Sequence, residues 1–142
     1  MPAQKVEHIL NDKNIRPTAM RILVYQLLSA AESAISLTDL ENDFESADRT
    51  TLYRTIKTFE SQGLVHAIED GTGVTKYALC EAYCNAEHHN DLHLHFHCYL
   101  CEETTCLTDY TIPKIRLPEN YIAHDVNLIV RGICDKCKTE AD

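Results

Sequence analysis

The sequence contains no tryptophan, few other aromatic residues, and no apolar run near the ~20 residues that span a bilayer. Its first residues, Met1–Lys5, lack the apolar stretch of a secretory signal peptide. The lack of a long apolar run argues against a membrane partner, and the lack of a signal peptide argues against export. We therefore expect a cytoplasmic protein. At 142 residues and 44% hydrophobic content, the chain fits one or two small globular domains.

An excess of basic charge is also missing, since the formal net charge is −9 at pH 7. Proteins that bind nucleic acid are usually basic at least locally. Residues 1–65 hold 7 basic and 9 acidic side chains, whereas residues 66–142 hold 6 and 13. The acidity is therefore concentrated in the second half, and the nearly neutral first half permits a basic face without demonstrating one.

Cysteine is plentiful, but its seven copies form an odd number in a sequence without an export signal, which argues against a secreted disulfide scaffold. Four of them form two Cys-x-x-Cys pairs, Cys98–Cys101 and Cys134–Cys137, with 32 residues between the pairs. Each such turn places two sulfurs on one side of a tight bend, and two turns supply the four thiolates that a structural zinc ion takes. The alternatives are two disulfides or ordinary buried cysteines.

Apolar spacing in the first half predicts four helices followed by two strands. Thr18 is a candidate N-cap, Ser36 and Asp39 form a candidate capping pair, and Gly63 stops the fourth helix. Helices followed by a two-stranded hairpin indicate an α+β fold with a winged helix-turn-helix, in which the helix before the hairpin enters the major groove of DNA. The predicted helices cover residues 5–13, 19–31, from about 36 onward, and 49–62, and the strands cover 64–68 and 74–79.

The fourth predicted helix has one apolar and one polar face. Leu52, Ile56 and Phe59 recur at helical spacing and are predicted core positions. Hydroxyl, tyrosine and arginine side chains on the opposite face suit contacts to DNA phosphates and base edges. The alternative is an ordinary solvated polar face. The candidate DNA-binding residues on this helix are Arg49, Thr50, Thr51, Tyr53, Arg54 and Lys57.

The second half follows a polar, turn-rich stretch, residues 81–91, which we interpret as an interdomain linker. Residues 92–100 then alternate, with leucine and phenylalanine on one face of a predicted strand and histidine on the other. Three histidines on one face, His93, His95 and His97, favour metal binding over the alternative of an exposed polar face. Further strands are predicted at 104–111 and 121–131, with space for only a short helix at 113–118.

Four motifs follow one another along the chain: Arg16–Arg21, Arg49–Ile56, Gly63–Val65 and the two Cys-x-x-Cys pairs. In this order they resemble the ferric uptake regulator (Fur) superfamily over nearly the whole chain. The resemblance implies a metal-dependent repressor and not an enzyme. It also implies a homodimer that binds double-stranded DNA at an inverted-repeat operator.

The resemblance further implies a domain organisation in which each part of the chain has its own function. A winged-helix DNA-binding domain is expected over residues 1–80 and a linker over 81–91. A small α/β dimerisation and metal-binding domain with the four-cysteine zinc site is expected over 92–142. Within the first domain, the resemblance implies that Tyr53 and Arg54 contact DNA and that Arg16 and Arg21 bind phosphates.

The spacing of the remaining histidines and cysteines resembles that of the zinc uptake regulator (Zur) branch. That pattern has a side chain on the first hairpin strand, a cysteine after the second strand, and then His-x-His-x-x-Cys. The resemblance implies a regulatory site, made of His66, Cys80, His93 and His95, that couples the two domains. One thiolate and three imidazoles favour Zn²⁺ over Fe²⁺ or Mn²⁺ as its ion.

The sequence departs from the superfamily at several positions where metal-binding side chains are common, since Ala34, Ala78 and Val126 occupy them. The usual second sensory site therefore looks lost. Cys106 follows Cys101 by five residues, where an acidic ligand is frequent, so it could join or replace Cys80. The spare donors that could bind an additional metal are Cys84, His88, His89, His97 and Cys106.

Other functions remain open at this point. An iron- or peroxide-responsive regulator of the same family is one alternative, and a zinc-stabilised protein with no metal-sensing role is another. A zinc deaminase would need a His-x-Glu motif, which the sequence lacks. A thiol redox protein is also conceivable, although both Cys-x-x-Cys pairs are placed at predicted strand ends that suit zinc.

Overall fold

The structure is a computed structural model that describes residues 2–44, 47–80, 93–111, 113–123 and 126–141. The chain forms two compact units, residues 1–91 and 92–142. Within the described ranges, every helix is too short or too polar to cross a membrane.

The first unit contains four helices and a three-stranded antiparallel sheet in the order β1-β3-β2. The predicted helices and the hairpin are confirmed with small shifts at their ends. The short strand β1, which pairs with the far edge of β3, was not predicted because its two residues are too few to show a sequence period. The elements are α1 (Ala3–Asp12), α2 (Ala19–Ala30), β1 (Ile35–Ser36), α3 (Leu37–Asp43), α4 (Arg49–Ser61), β2 (Val65–Glu69) and β3 (Thr75–Leu79).

Side-chain caps fix where these helices begin. The Thr18 hydroxyl accepts the Arg21 N–H, as predicted. Ser36 and Asp39 form a reciprocal capping box, with side chain to backbone distances of 3.1 and 3.0 Å. At the other end of α4, Gly63 has φ +78°, a left-handed conformation that costs glycine little and that ends the helix.

The interior of the first unit is an apolar cluster to which all four helices and the hairpin contribute. Leu52, Ile56 and Phe59 of α4 have no exposed surface, so their predicted core positions are confirmed. Burial of side chains of this size contributes about 1.5–3 kcal/mol each. The cluster consists of Val6, Leu10, Ile15, Val24, Tyr25, Leu28, Leu40, Leu52, Ile56, Phe59, Leu64, Val65 and Tyr77.

The turn between β2 and β3 is held by a buried acid. One oxygen of Asp70 accepts the backbone N–H and the hydroxyl of Thr72, at 3.1 and 2.6 Å. Its other oxygen lies 2.9 Å from the Lys76 Nζ. This set of contacts compensates the carboxylate for its burial and fixes the hairpin that follows α4.

The second unit is a small sheet with a C-terminal helix. Its strand order is β5-β4-β6, with β5 antiparallel and β6 parallel to the central strand. The predicted strand at 104–111 is confirmed residue for residue. The elements are β4 (His93–Cys98), β5 (Thr104–Thr111), β6 (Ile129–Gly132) and α5 (Asp135–Ala141).

The second half of the second unit departs from the sequence expectations. Residues 113–118, all of which the structure describes, form no helix, although the sequence left space for a short one. Of the strand expected at 121–131, the described residues 121–123 and 126–128 are not in a strand. Strand β6 begins at Ile129, because pairing with β4 starts only where the His95 N–H reaches the Leu128 carbonyl. The apolar residues Tyr121 and Ile122, which suggested the longer strand, are exposed.

Candidate functional site

The first Cys-x-x-Cys pair closes the turn between β4 and β5. Cys98 is the last residue of β4. Its N–H donates to the Glu103 carbonyl, and its carbonyl accepts the Glu102 N–H, so that two hydrogen bonds close the turn. Glu102 adopts φ +64°, which reverses the chain directly after Cys101. The turn therefore presents the sulfurs of both cysteines toward the end of the neighbouring strand β6.

The second pair follows β6 directly and joins the first. The Cys134 N–H donates to the Cys98 Sγ at 3.4 Å, and the Cys137 side chain is buried on α5. The four sulfurs all lie within 4.8 Å of one another, and Cys101 Sγ is 3.9 Å from Cys134 Sγ. None of the four is in a disulfide. The predicted grouping of four thiols is confirmed, and the disulfide alternative is wrong for them.

These thiols fit a zinc ion in number, chemistry and spacing. Zinc bound to four thiolates at about 2.3 Å places neighbouring sulfurs roughly 3.8 Å apart, close to the 3.9 Å between Cys101 and Cys134. Hydrogen bonds from backbone N–H groups lower the pKa of Cys98 to about 6, and the N–H of Cys101 contributes most. The Cys134 thiol, together with burial, raises the pKa of Cys137 to about 12. Four thiolates this close repel one another unless a cation is shared between them.

Gly132 is a supporting residue of this centre that the sequence reasoning missed. A Cβ at this position would lie 3.2 Å from the Phe96 ring, so the ring would have to shift by a few tenths of an ångström to admit a larger residue. The Gly132 carbonyl also accepts the Tyr99 N–H inside the first turn. A glycine two residues before a metal-type cysteine pair was the available signal.

The histidine face of β4 is buried, contrary to the alternative of an exposed polar face. His95 and His97 keep only 4% and 5% of their surface. His95 pairs in register with Cys106 on β5, and their donor atoms lie within 4.8 Å of each other. The His97 Nδ1 lies 2.9 Å from the Thr104 hydroxyl, on the same face. An imidazole and a thiol are thus adjacent inside the second unit.

The two donors predicted from the first unit share one face of its hairpin. His66 lies on β2, is buried, and pairs with Ala78. The Cys80 N–H donates to the Leu64 carbonyl at 2.8 Å, so Cys80 continues the ladder one residue beyond β3. Because alternate residues point to the same side, Cys80 lies diagonally across from His66.

The remaining metal candidates fall outside what the structure describes. His93 begins β4, opposite Thr111 and next to a break in the register, but its side chain is not described. The linker donors lie outside the described residues altogether; they are Cys84, His88 and His89.

The predicted DNA-binding face of α4 is exposed along its length. Tyr53 retains 46% of its surface. The buried residues of α4 recur every three or four positions, as expected for a helix packed on one side. Asp48 caps the helix by accepting the Thr51 N–H, and this hydrogen bond lowers the pKa of the Asp48 carboxyl. The exposed residues of this face are Arg49, Thr50, Thr51, Tyr53, Arg54 and Lys57.

Two of these cations already have acidic neighbours. Lys57 lies 3.0 Å from Glu60, which raises its pKa, and sits over the Tyr53 ring with its Nζ 5.6 Å from the centroid. Arg49 pairs with Glu41 of α3 at 2.8 Å. The sequence reasoning missed Glu41, because no periodicity reports a contact between two helices.

The predicted phosphate-binding residues Arg16 and Arg21 lie at the start of α2. The Arg21 guanidinium donates to the Arg16 carbonyl at 2.9 Å, so the side chain lies along the turn that enters the helix. Arg16 is exposed and Arg21 partly so.

Comparison with known proteins identifies relatives of this arrangement. The model of the Ferric uptake regulator family matches residues 12–130. No curated protein sequence matched. Among solved structures, a zinc uptake regulator complexed with zinc and DNA aligns with a TM-score of 0.66 and 23% identity. That alignment covers 99% of this chain and 95% of the other.

Regulators of other metals are similar in fold as well. The Vibrio cholerae ferric uptake regulator aligns with a TM-score of 0.62 and 18% identity, covering 90% of this chain and 98% of the other. A zinc-bound manganese uptake regulator aligns with a TM-score of 0.59 and 18% identity, covering 89% and 98%. Because all three share the fold at low identity, fold similarity does not choose between zinc, iron and manganese.

Proposed function

Because this chain belongs to the ferric uptake regulator family, whose members are metal-responsive transcription regulators and not enzymes, we propose that it is a zinc-responsive repressor. We propose that it acts in the cytoplasm as a homodimer on an inverted-repeat operator. The observation that carries the choice of zinc is the donor set. A thiol, Cys106, stands beside the buried imidazole of His95, in register on the neighbouring strand.

Donor chemistry supports zinc because thiolate and imidazole together suit Zn²⁺, whereas iron and manganese sites rely more on carboxylate oxygens. Burial of His95 supports a ligand role over a surface role. The four-cysteine group is a separate centre for a structural zinc ion, which would contribute folding free energy directly. An iron-responsive regulator is the second candidate, since the family whose model matches this chain is that of the ferric uptake regulator.

For the regulatory set we propose His66 and Cys80 from the first unit and His93 and His95 from the second, with Cys106 as a fifth donor or as the replacement for Cys80. An ion with ligands from both units would limit how freely the units move relative to each other. The chain's own part is to hold imidazole and thiolate donors on two hairpins, one in each unit. If the ion binds the DNA-competent arrangement more tightly than the other arrangements, that difference in binding free energy stabilises the DNA-competent arrangement.

The experiment is operator binding titrated against buffered Zn²⁺, Fe²⁺ and Mn²⁺, using a duplex selected by the wild-type protein from a random pool. About 100-fold activation corresponds to roughly 2.7 kcal/mol of coupling. His95→Ala is expected to abolish the zinc response while the protein keeps one tightly bound zinc per chain. Cys80→Ser and Cys106→Ser identify the regulatory thiolate: loss of the response in one variant assigns that cysteine, and loss in both makes Cys106 a fifth donor. Normal zinc responses in all three variants, with stronger activation by iron, would contradict the proposal.

The DNA-reading surface is tested independently of the metal. We propose that the α4 face binds the operator, with Arg54 and Tyr53 at base edges or phosphates and Arg16 and Arg21 on phosphates. Arg54→Ala is expected to cost about 1–3 kcal/mol of operator binding and to relax specificity if it reads a base. Tyr53→Phe isolates the contribution of the hydroxyl. Unchanged operator affinity in both variants at matched salt would assign DNA reading to another element.

A further inference from the structure

Glu41 of α3 holds the first residue of the proposed DNA-reading helix. The Arg49 Nη1 donates to the Glu41 Oε2 at 2.8 Å and to the Thr38 hydroxyl at 3.3 Å. Thr38 and Glu41 lie on α3 and Arg49 begins α4, so the contact joins the two helices of the helix-turn-helix. The Arg49 and Glu41 side chains are 55% and 43% exposed.

This pairing occupies a group that DNA would otherwise use. A guanidinium binds carboxylate and phosphate through the same fork of N–H donors. A carboxylate that holds Arg49 against α3 therefore competes with any phosphate that approaches the start of α4. Because the pair is half exposed, it is weak enough to orient the side chain without making it inert.

We propose that Glu41 is a specificity-determining residue that restrains Arg49 and suppresses its binding to phosphates at non-operator DNA. The inference rests on the proposed function, since it concerns the DNA contacts of the same helix. On non-operator DNA, affinity comes almost entirely from phosphate contacts, so an unrestrained Arg49 adds to it directly. On the operator, base-edge contacts fix the helix, and Arg49 remains oriented by Glu41 and Thr38.

The test compares Glu41→Gln with wild type on two duplexes, the one selected by the wild-type protein and a scrambled duplex of the same composition. Glu41→Gln is expected to bind the scrambled duplex up to about fivefold more tightly, the upper range for one exposed ion pair. The dependence of its affinity on salt should steepen by about 0.9 in slope, the value for one additional phosphate contact. Affinity for the selected duplex should change by less than about twofold.

Two controls separate restraint of Arg49 from other causes. Asp43→Asn removes one exposed negative charge from the same helix and should leave the salt slope unchanged if the effect belongs to Glu41. In an Arg49→Met background, Glu41→Gln should have no effect on either duplex, because the two residues then no longer interact. Thermal unfolding of each variant detects a purely structural contribution of the pair.

The outcomes are distinct. Equal loss of affinity for both duplexes with a lowered Tm would mean that the pair only packs α3 against α4, and the inference would be wrong. The same holds if Asp43→Asn reproduces the effect. Wild-type protein that binds the selected duplex with zinc, together with an unchanged Glu41→Gln, overturns this inference alone. Failure of the wild-type protein to enrich any duplex from the random pool, at any zinc concentration, overturns both it and the proposed function.

Discussion

The two units of this chain have different interiors. In the part of the first unit that the structure describes, a single cluster of 13 apolar side chains is buried. In the second unit, among the side chains that the structure describes, the buried ones are thiols, imidazoles and a hydroxyl; they are Cys98, Cys137, His95, His97 and Thr104. We infer from this difference that apolar burial stabilises the first unit, whereas the second depends on the zinc ion proposed for its four-cysteine group.

The small size and the exposed apolar surface of the second unit also indicate that it needs a metal or a partner subunit for stability. A unit of about 50 residues buries too little surface to be secure without a metal or a partner subunit. The second unit also leaves large apolar side chains exposed, which fits the proposed dimer. Those with more than half of their surface exposed include Tyr110, Ile115, Tyr121 and Ile122.

The largest expected effect is the loss of the four-cysteine centre. Cys101→Ser should release the structural zinc and unfold the second unit, because zinc binding and folding are coupled and apparent binding energies in zinc-finger peptides reach about 10–16 kcal/mol. Zinc content per chain and the amide spectrum of the second unit are the measurements. Cys106→Ser is the matched control and should keep the structural zinc. A Cys101→Ser protein that retains both zinc and a folded second unit would contradict the contrast between the two interiors.

A core substitution in the first unit should destabilise that unit and leave the zinc in the second unit bound. Phe59→Ala removes a fully buried ring from α4 and should cost about 3–5 kcal/mol of unfolding free energy. The structural zinc should remain, because the four-cysteine group lies entirely in the other unit. Tyr53→Ala on the exposed face of the same helix is the control and should cost less than about 1 kcal/mol. Simultaneous loss of zinc and of the first unit in Phe59→Ala would mean that the two units unfold as one.

The same contrast explains what the sequence could predict. In the first unit, local rules agree with one another: helical spacing, the Ser36 capping box and Gly63 each mark a boundary that the structure confirms. In the second unit, the cysteine spacing predicted the four-thiol group, alternation predicted β4, and the sequence also predicted β5 at its observed position. Burial of the histidine face could not be predicted, because alternation reports which residues share a face but not whether that face is covered.

Long-range features account for the failures. The strand expected from residue 121 shortens to β6 because its length depends on parallel pairing with β4, which no local pattern encodes. Helix α5 was not predicted, since its sequence is polar apart from Cys137 and Ala141 and shows no apolar period. The Glu41–Arg49 contact joins two helices across a turn, so it too required coordinates.

The smallest expected effect concerns acid. The Thr51 N–H lowers the pKa of Asp48, so the folded carboxyl binds its proton less readily than the unfolded one. A group with a lowered folded pKa stabilises the fold above its unfolded pKa, near 3.9, and loses that contribution as pH falls through the folded value. The capped start of α4 should therefore weaken only below about pH 4. Metal thiolates in the second unit must be protonated for zinc to leave, so that unit should unfold first, at higher pH.

An acid titration followed by amide hydrogen exchange checks this order, residue by residue, in the full chain. Asp48→Asn keeps a good N-cap, because asparagine caps helices about as well as aspartate, but it cannot be protonated in this range. The variant should match wild type near pH 7 and should lose the pH dependence of protection in α4 below pH 4. Zinc release should occur at the same pH in both proteins. If α4 loses protection together with the zinc in wild type and variant alike, acid acts on the first unit through the second, and the two interiors are not independent.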